Sequence, residues 1–317
     1  MKTLILEGGG MRAGFVAGAL MALMDRGWTD FDAAVAVSAS VPTLCYFASG
    51  QREDLETVWR CELCCPDLVC YRNLPAASLT LSTDHPVVDI GYLVDRVFRE
   101  RHPLDLAAFE KNPMQCRFAA TQAPEGTLVL LDPREHHDVY ALTKACLAVP
   151  GCYPGTVCVD DCEYLDGGTV HPLPFLEGPR DDEDRLVAIL SRPAGSEAHL
   201  VGAWEKLLFW RYFRRHPWVE ERLLTAEAAY REHVEFLEEA SRGRPARAVT
   251  ICPDRMPPAR FLTRNGRRLN ETIDLGYRKV EALESEIAPF FCSPPAEHLA
   301  APSEAPTHPP EEGRDVV

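Results

Sequence analysis

The apolar positions near the start of the chain fall into a short run and a long one, separated by glycines. Leu4-Ile5-Leu6 is a continuous apolar stretch that meets Glu7 and then Gly8-Gly9-Gly10, and Phe15 to Met24 is apolar on every side. The first reads as a buried strand, and the second as a helix enclosed within a large domain rather than lying on its surface. Asp25-Arg26-Gly27 ends that helix, with Gly27 suited to the position just past its last turn. Ala34 to Val37 is a second buried strand running into Ser38, and a helix over about Pro42 to Ser49 follows at once, closed by Gly50. Proline in the first turn of that helix costs no hydrogen bond. Strand, helix, strand, helix argues for a parallel sheet covered by helices.

Further along, Gln51 to Asp67 reads as a mixed helix, and helical spacing recurs between Asp84 and Phe109 at Ile90, Leu93, Val94 and Val97. Arg117–Thr121 and Thr127–Leu131 form an expected hairpin turning at Pro124-Glu125-Gly126. Tyr140 to Ala148 is a helix of small residues stopped by Pro150-Gly151. Val157-Cys158-Val159 precedes a tight Asp166-Gly167-Gly168 turn, and Leu186–Leu190 is another buried strand. Beyond Pro193 the expected elements are an aromatic and basic helix over Ala203–Arg215, an acidic helix over Glu220–Ala240, a strand over Arg247–Cys252 and a last helix over Leu269–Ile287. From Ser293 the tail is proline- and acid-rich with few bulky apolar residues, and it is expected to be disordered. No internal repeat is evident.

Composition narrows the function classes. A chain of 317 residues, 46% hydrophobic, can build one large core or two smaller ones. Its net charge of −15, from 48 acids and 33 bases, argues against nucleic acid as a partner and against broad adsorption to anionic membrane. The opening apolar run breaks at Glu7, too early for a signal peptide. No uninterrupted apolar run reaches the ~18 residues of a membrane span, so a cytoplasmic protein with reduced thiols is expected. Of the 12 cysteines, seven crowd at Cys61–Cys70 and Cys152–Cys162. Cys61-x-x-Cys64 lacks a second ligand pair at zinc-finger distance, so no metal and no cofactor is expected, and the thiols read as small buried hydrophobes.

Three stretches carry candidate chemistry. Glycines between a strand and a helix bring bare N–H groups to the helix's positive end, a site for negative charge. Ser38, on a sharp strand-to-helix turn, has the setting of a nucleophile elbow. Asp166 sits on a glycine turn and can act as an acid or base. Nucleophile, base and anion-binding loop are the minimum parts for acyl transfer.

Together Gly8-Gly9-Gly10-Met11-Arg12, Val37-Ser38-Ala39 and Asp166-Gly167-Gly168 resemble the patatin-like phospholipase family, in particular its small bacterial stand-alone members. Ala145–Pro150, a small-residue helix ending at proline, adds to the likeness. The resemblance implies a three-layer α/β/α sandwich with a mostly parallel sheet, and hydrolysis of lipid acyl esters by a Ser–Asp dyad. It implies Ser38 as nucleophile, Asp166 as its base, and an oxyanion hole built by Gly8, Gly9, Gly10, Met11 and Arg12, with Arg12 holding the loop. Residues 3–178 would form the catalytic domain, 179–292 an extension packed on the same core, and 293–317 a tail.

The chain departs from the family pattern at the elbow, where Ala36 and Ser40 replace the flanking glycines, and at Ala13 after the loop arginine. Those departures support an alternative, a weakened or inactive lipid- or partner-binding protein on the same fold. A second alternative is dinucleotide binding, since Gly8-x-Gly10-x-x-Ala13 fits G-x-G-x-x-G/A, but the acid due at the end of the second strand is replaced by Ser38. A Ser–Asp–His triad would need one of the histidines after Asp166, and His171 ranks only as a neighbour of the site. The aromatic-basic stretch Phe209–Trp218 reads as a helix covering the sheet with its aromatics inward, the rival being transient contact with a membrane surface.

Overall fold

The computed structural model describes residues 1–75, 85–136, 138–153, 155–175, 184–196 and 210–291. The expected tail, and the part of the aromatic-basic helix before Trp210, lie outside them. An eight-stranded sheet runs through the molecule in the order β5-β6-β3-β2-β1-β7-β8, with β4 on the outer edge of β3. Its strands are β1 (Lys2–Leu6), β2 (Ala33–Val37), β3 (Gln115–Ala123), β4 (Thr127–Leu131), β5 (Val157–Val159), β6 (Cys162–Asp166), β7 (Arg185–Ile189) and β8 (Ala248–Ile251). β3, β2, β1, β7 and β8 are mutually parallel, while β4, β5 and β6 run antiparallel to their neighbours.

Alternation along the strands separates two apolar layers. Leu4 and Leu6 of β1 face one core together with Ala34, Ala36, Phe118, Val187 and Ile189. Ile5 faces the other with Leu186, Ala188 and Leu190. Helix α1 (Gly14–Asp25) lies in the first layer, buried from Gly14 to Leu23, as its all-round apolar sequence requires. Against it lies α8 (Gly266–Ala282), at a separation only glycine permits: a Cβ at Gly18 would meet the Ile273 carbonyl at 1.9 Å, and one at Gly276 the Phe15 carbonyl at 1.9 Å. On the opposite face α7 (Pro217–Arg242) presents Tyr230, Val234, Leu237 and Ala240 to the sheet. The result is helix, sheet, helix, a three-layer sandwich.

Most expected elements appear within a few residues of their expected bounds, with two informative differences. Gln51–Asp67 is not one helix: α3 (Arg52–Thr57) gives way to a wider π-helical turn over Val58–Glu62. The apolar spacing around Ile90 likewise becomes a π-helical stretch, Tyr92–Arg101, followed across Pro103 by the short α4 (Leu106–Lys111). Both sequences keep the burial period of a helix, and the widened backbone opens space beside it, a feature common at functional sites. In the aromatic-basic stretch, α6 (Trp210–Arg215) buries Tyr212 and Phe213 and exposes Trp210. No helix among the described residues is long and apolar enough to cross a membrane.

Candidate active site

Strand β3 is the ruler that brings the two distant motifs together. On one edge it pairs with β2 up to the rung Val37↔Ala119, and on the same edge it continues with β6 from the rung Asp166↔Ala120. Its other edge is taken by β4 along Phe118–Gln122. β2 and β6 therefore approach end to end along adjacent rungs, and Ser38, the residue after Val37, arrives beside Asp166.

Ser38 is buried and held at φ 55°, a left-handed conformation costly for a residue with a side chain. The turn is secured by the Val41 N–H, which donates to the Ser38 carbonyl at 2.9 Å, as α2 (Ser40–Ala48) begins. Ala36 and Ser40 are both fully buried. The extra hydroxyl of Ser40 has a use: it donates to the Glu7 carbonyl at 2.7 Å, tying the elbow helix to the strand that enters the glycine loop. Ala39 lines the pocket beside Ser38.

Asp166 is pinned through its main chain and one carboxyl oxygen. The Gly168 N–H donates to Oδ1 at 2.7 Å, and Thr121 donates its hydroxyl to the Asp166 carbonyl at 2.9 Å. Gly167 lies so close to β3 that a Cβ there would stand 2.5 Å from the Ala119 carbonyl. Burial raises the carboxyl pKa to about 6, opposed by hydrogen bonding from Ser38 and from the Gly168 amide. Ser38 thus acts on the carboxyl, yet Oδ2 accepts no hydrogen bond of conventional geometry. The pair is in reach but not clasped. His171 is not part of the pair: its Nδ1 accepts from the Leu173 N–H at 3.3 Å, and its ring rests 4.4 Å from that of His233. Burial, then His233, lowers its pKa to about 4, so it is neutral at pH 7.

The glycine loop is more selective than the sequence suggested. Gly8 packs on the elbow, where a Cβ would come 2.9 Å from Ser38 Cβ. Gly9 and Gly10 have φ 144° and 56°, conformations glycine adopts without strain. Two of the expected donors are committed elsewhere: the Met11 N–H donates to the Phe261 carbonyl at 3.0 Å, and the Arg12 N–H to the Gly9 carbonyl at 3.1 Å. The Met11 amide is therefore engaged outside the loop, while the Arg12 amide ties the loop to itself. The amides of Gly8, Gly9 and Gly10 have no acceptor among the described residues.

Beneath the loop lies a charge network that motif reading missed. Glu7, 2% exposed, receives the Arg192 Nε at 2.9 Å and the Ser191 N–H at 2.7 Å. Arg192 is itself buried and lies flat over the Tyr230 ring, 3.5 Å from its centre. Burial raises the Glu7 pKa, and Arg192 and Arg12 oppose it. The sequence signal was a single arginine, Arg192, directly after an apolar strand, where a buried arginine needs an acidic partner.

A narrow pocket of about 70 Å3 opens beside Ser38 and Gly10. Its walls are almost wholly apolar, drawn from the elbow helix (Pro42, Tyr46), the two π-helical stretches (Val58, Trp59, Leu93, Phe98) and the segment Phe261-Leu262. Among the described residues no three His, Cys, Asp or Glu side chains converge as metal ligands would, and every described cysteine is a free thiol.

Comparison with known proteins fits this geometry. No curated protein matches the chain. Among solved structures it is similar to VipD from Legionella pneumophila, at 12% identity and a TM-score of 0.47, over 90% of this chain and 67% of that one. The sequence model of the patatin-like phospholipases matches residues 4–178, more than half of the chain and the segment that holds the glycine loop, elbow and aspartate turn. The chain belongs to the patatin-like phospholipase family, and its general class of activity is lipid acyl hydrolysis.

Proposed function

We propose that this chain cleaves carboxylic ester bonds of lipids through a covalent acyl-enzyme, with Ser38 as nucleophile and Asp166 as its base. The observation that supports the reading is the pair of adjacent rungs on β3, Val37↔Ala119 and Asp166↔Ala120, which bring the end of β2 beside the end of β6. A carboxylate of ordinary pKa would be a poor acceptor for a serine proton, and burial lifts Asp166 to about 6, near a working pH.

In the first half-reaction Asp166 takes the hydroxyl proton as Ser38 Oγ bonds to the ester carbonyl carbon. Negative charge forms on the carbonyl oxygen, and the N–H groups of Gly9 and Gly10 receive it. The ester C–O bond breaks, and the proton on Asp166 passes to the leaving alcohol or lysolipid. Water, deprotonated by Asp166, then attacks the acyl carbon and releases the fatty acid with Ser38 restored. The acyl chain occupies the apolar pocket.

Hydrolysis of a short-chain p-nitrophenyl ester by wild type and by Ser38→Ala tests the reading. It predicts turnover in wild type and none above background in the variant. Equal rates in the two would place the chemistry elsewhere. A wild type without activity would favour the alternative that the loose Ser38–Asp166 contact supports, a lipid-binding protein that has lost catalysis.

A further inference from the structure

The main-chain carbonyls of the glycine loop are each held by a specific donor, and those donors determine where the loop's amides point. In a regular parallel ladder the Glu7 N–H would donate to the Ile189 carbonyl, and the Ser191 N–H would donate back to the Glu7 carbonyl. The first bond is present, at 3.0 Å. The second is not made to the main chain: the Ser191 N–H donates to Glu7 Oε2 instead, at 2.7 Å. The side chain of Glu7 has taken the place of its own carbonyl in the ladder. The carbonyl, released, accepts the Ser40 hydroxyl on the elbow side at 2.7 Å.

One residue later the exchange is reversed. The Gly8 carbonyl accepts the Ser191 hydroxyl at 2.6 Å, on the β7 side, in a buried setting. A trans peptide points its N–H opposite to its C=O. With its carbonyl tied toward β7, the Gly8–Gly9 peptide turns the Gly9 N–H toward β2, the side on which Ser38 stands. By the same rule the Glu7–Gly8 peptide, tied to Ser40, turns the Gly8 N–H away from Ser38. The Gly9 carbonyl is fixed in turn by the Arg12 N–H at 3.1 Å, which orients the Gly10 amide. No room exists for a side chain to blur this arrangement, since a Cβ on Gly9 would stand 2.5 Å from Ser191 Oγ.

We propose that Ser191 is a positioning residue for the ester hydrolysis, its hydroxyl fixing the Gly8–Gly9 peptide plane so that the Gly9 N–H meets the oxyanion. Glu7 and Arg192 make this possible, the carboxylate by satisfying the Ser191 N–H and the guanidinium by neutralising that carboxylate in the core. This rests on the hydrolase reading above and adds to it a residue outside the segment 4–178 that the family model covers. Ser191 touches neither substrate nor Ser38 and acts only through the orientation of one amide.

The test is steady-state hydrolysis of p-nitrophenyl butyrate by wild type, Ser191→Ala and Ser191→Cys, with the pH profile and thermal unfolding measured on each. A misaimed oxyanion donor lowers kcat about ten- to hundredfold with KM within about twofold. The acid limb of the profile keeps its midpoint, because Asp166 is untouched. Ser191→Cys, with a weak S–H donor of similar size, recovers part of the loss. An unchanged kcat in Ser191→Ala overturns the proposal. So does a loss that is explained by unfolding in both variants, or one that appears in KM alone. If wild type itself hydrolyses no ester and Ser38 resists a fluorophosphonate, the hydrolase reading fails and takes the proposal with it. An active wild type beside an equally active Ser191→Ala overturns the positioning role alone.

Discussion

The two flanks of the glycine loop are built on different principles. On the β2 side stand the proposed nucleophile and base, Ser38 and Asp166, with small neighbours, a strained backbone and one carboxyl oxygen left without a conventional partner. On the β7 side stand Glu7, Ser191 and Arg192, which are buried: the Ser191 N–H and Arg192 Nε both donate to Glu7, while Arg192 Nη1 and Nη2 make no conventional hydrogen bond and the guanidinium lies over Tyr230. One flank is held loosely so that a proton can move. The other is held tightly so that the amides do not. Chemistry in such a site is concentrated in short motifs, whereas its preorganisation is drawn from residues distant in the chain.

The largest effect should come from the loose flank. Ser38→Ala is expected to lower kcat/KM about a thousandfold or more, measured on a short-chain ester, while the melting temperature moves little. Asp166→Asn should lower activity to a similar degree and also raise stability. Its carboxyl, raised to about 6 by burial, opposes folding when ionised. That contribution is absent below the unfolded value near 4 and grows as the pH rises toward 6, reaching ~3 kcal/mol for a shift of about two units. Denaturant melts of wild type and Asp166→Asn at pH 4 and pH 7.5 should therefore coincide at the lower pH and separate at the higher. Separation in the opposite direction would mean that the carboxylate is stabilised where it lies.

The tight flank should answer in stability first. Arg192→Met leaves the Glu7 carboxylate buried without its cation and should cost about 3–5 kcal/mol in a urea melt. Adding Glu7→Gln should return part of that loss, and additivity of the two changes would show that the pair is not coupled. A smaller effect is expected at the pocket wall. Phe98→Ala enlarges the pocket it lines and should shift the preferred acyl chain to longer esters by a few carbons, read from kcat/KM across a chain-length series, while butyrate turnover stays within about threefold.

Much of this was legible in the sequence, for identifiable reasons. The order of the strands in the chain, the hairpin at Pro124-Glu125-Gly126 and the all-apolar helix after the loop follow from periodicity and glycine alone. Ser38, Asp166 and the glycines stand out in the sequence because each motif lies on a turn that needs those residue types. The elbow departure at Ser40 was visible, but its meaning was not, because the Glu7 carbonyl it meets is 33 residues away. Ser191, Arg192 and Tyr230 carried no motif: an ordinary serine and arginine after an apolar strand become a brace only when β7 is laid beside β1. The Met11 amide looks available from the sequence, because the acceptor that takes it, the Phe261 carbonyl, lies 250 residues on. The π-helical stretches escaped because their burial period is close to that of the α-helix they replace.

The central claim is that Ser38 and Asp166 form a working pair, and the most direct test is the rate of Ser38 phosphonylation by a fluorophosphonate as a function of pH. The account predicts a label on Ser38 alone, a rate that rises with pH through a midpoint near 6, and a slow, pH-independent rate in Asp166→Asn. A protein that takes up no label at any pH, or a variant that labels as fast as wild type, would contradict it.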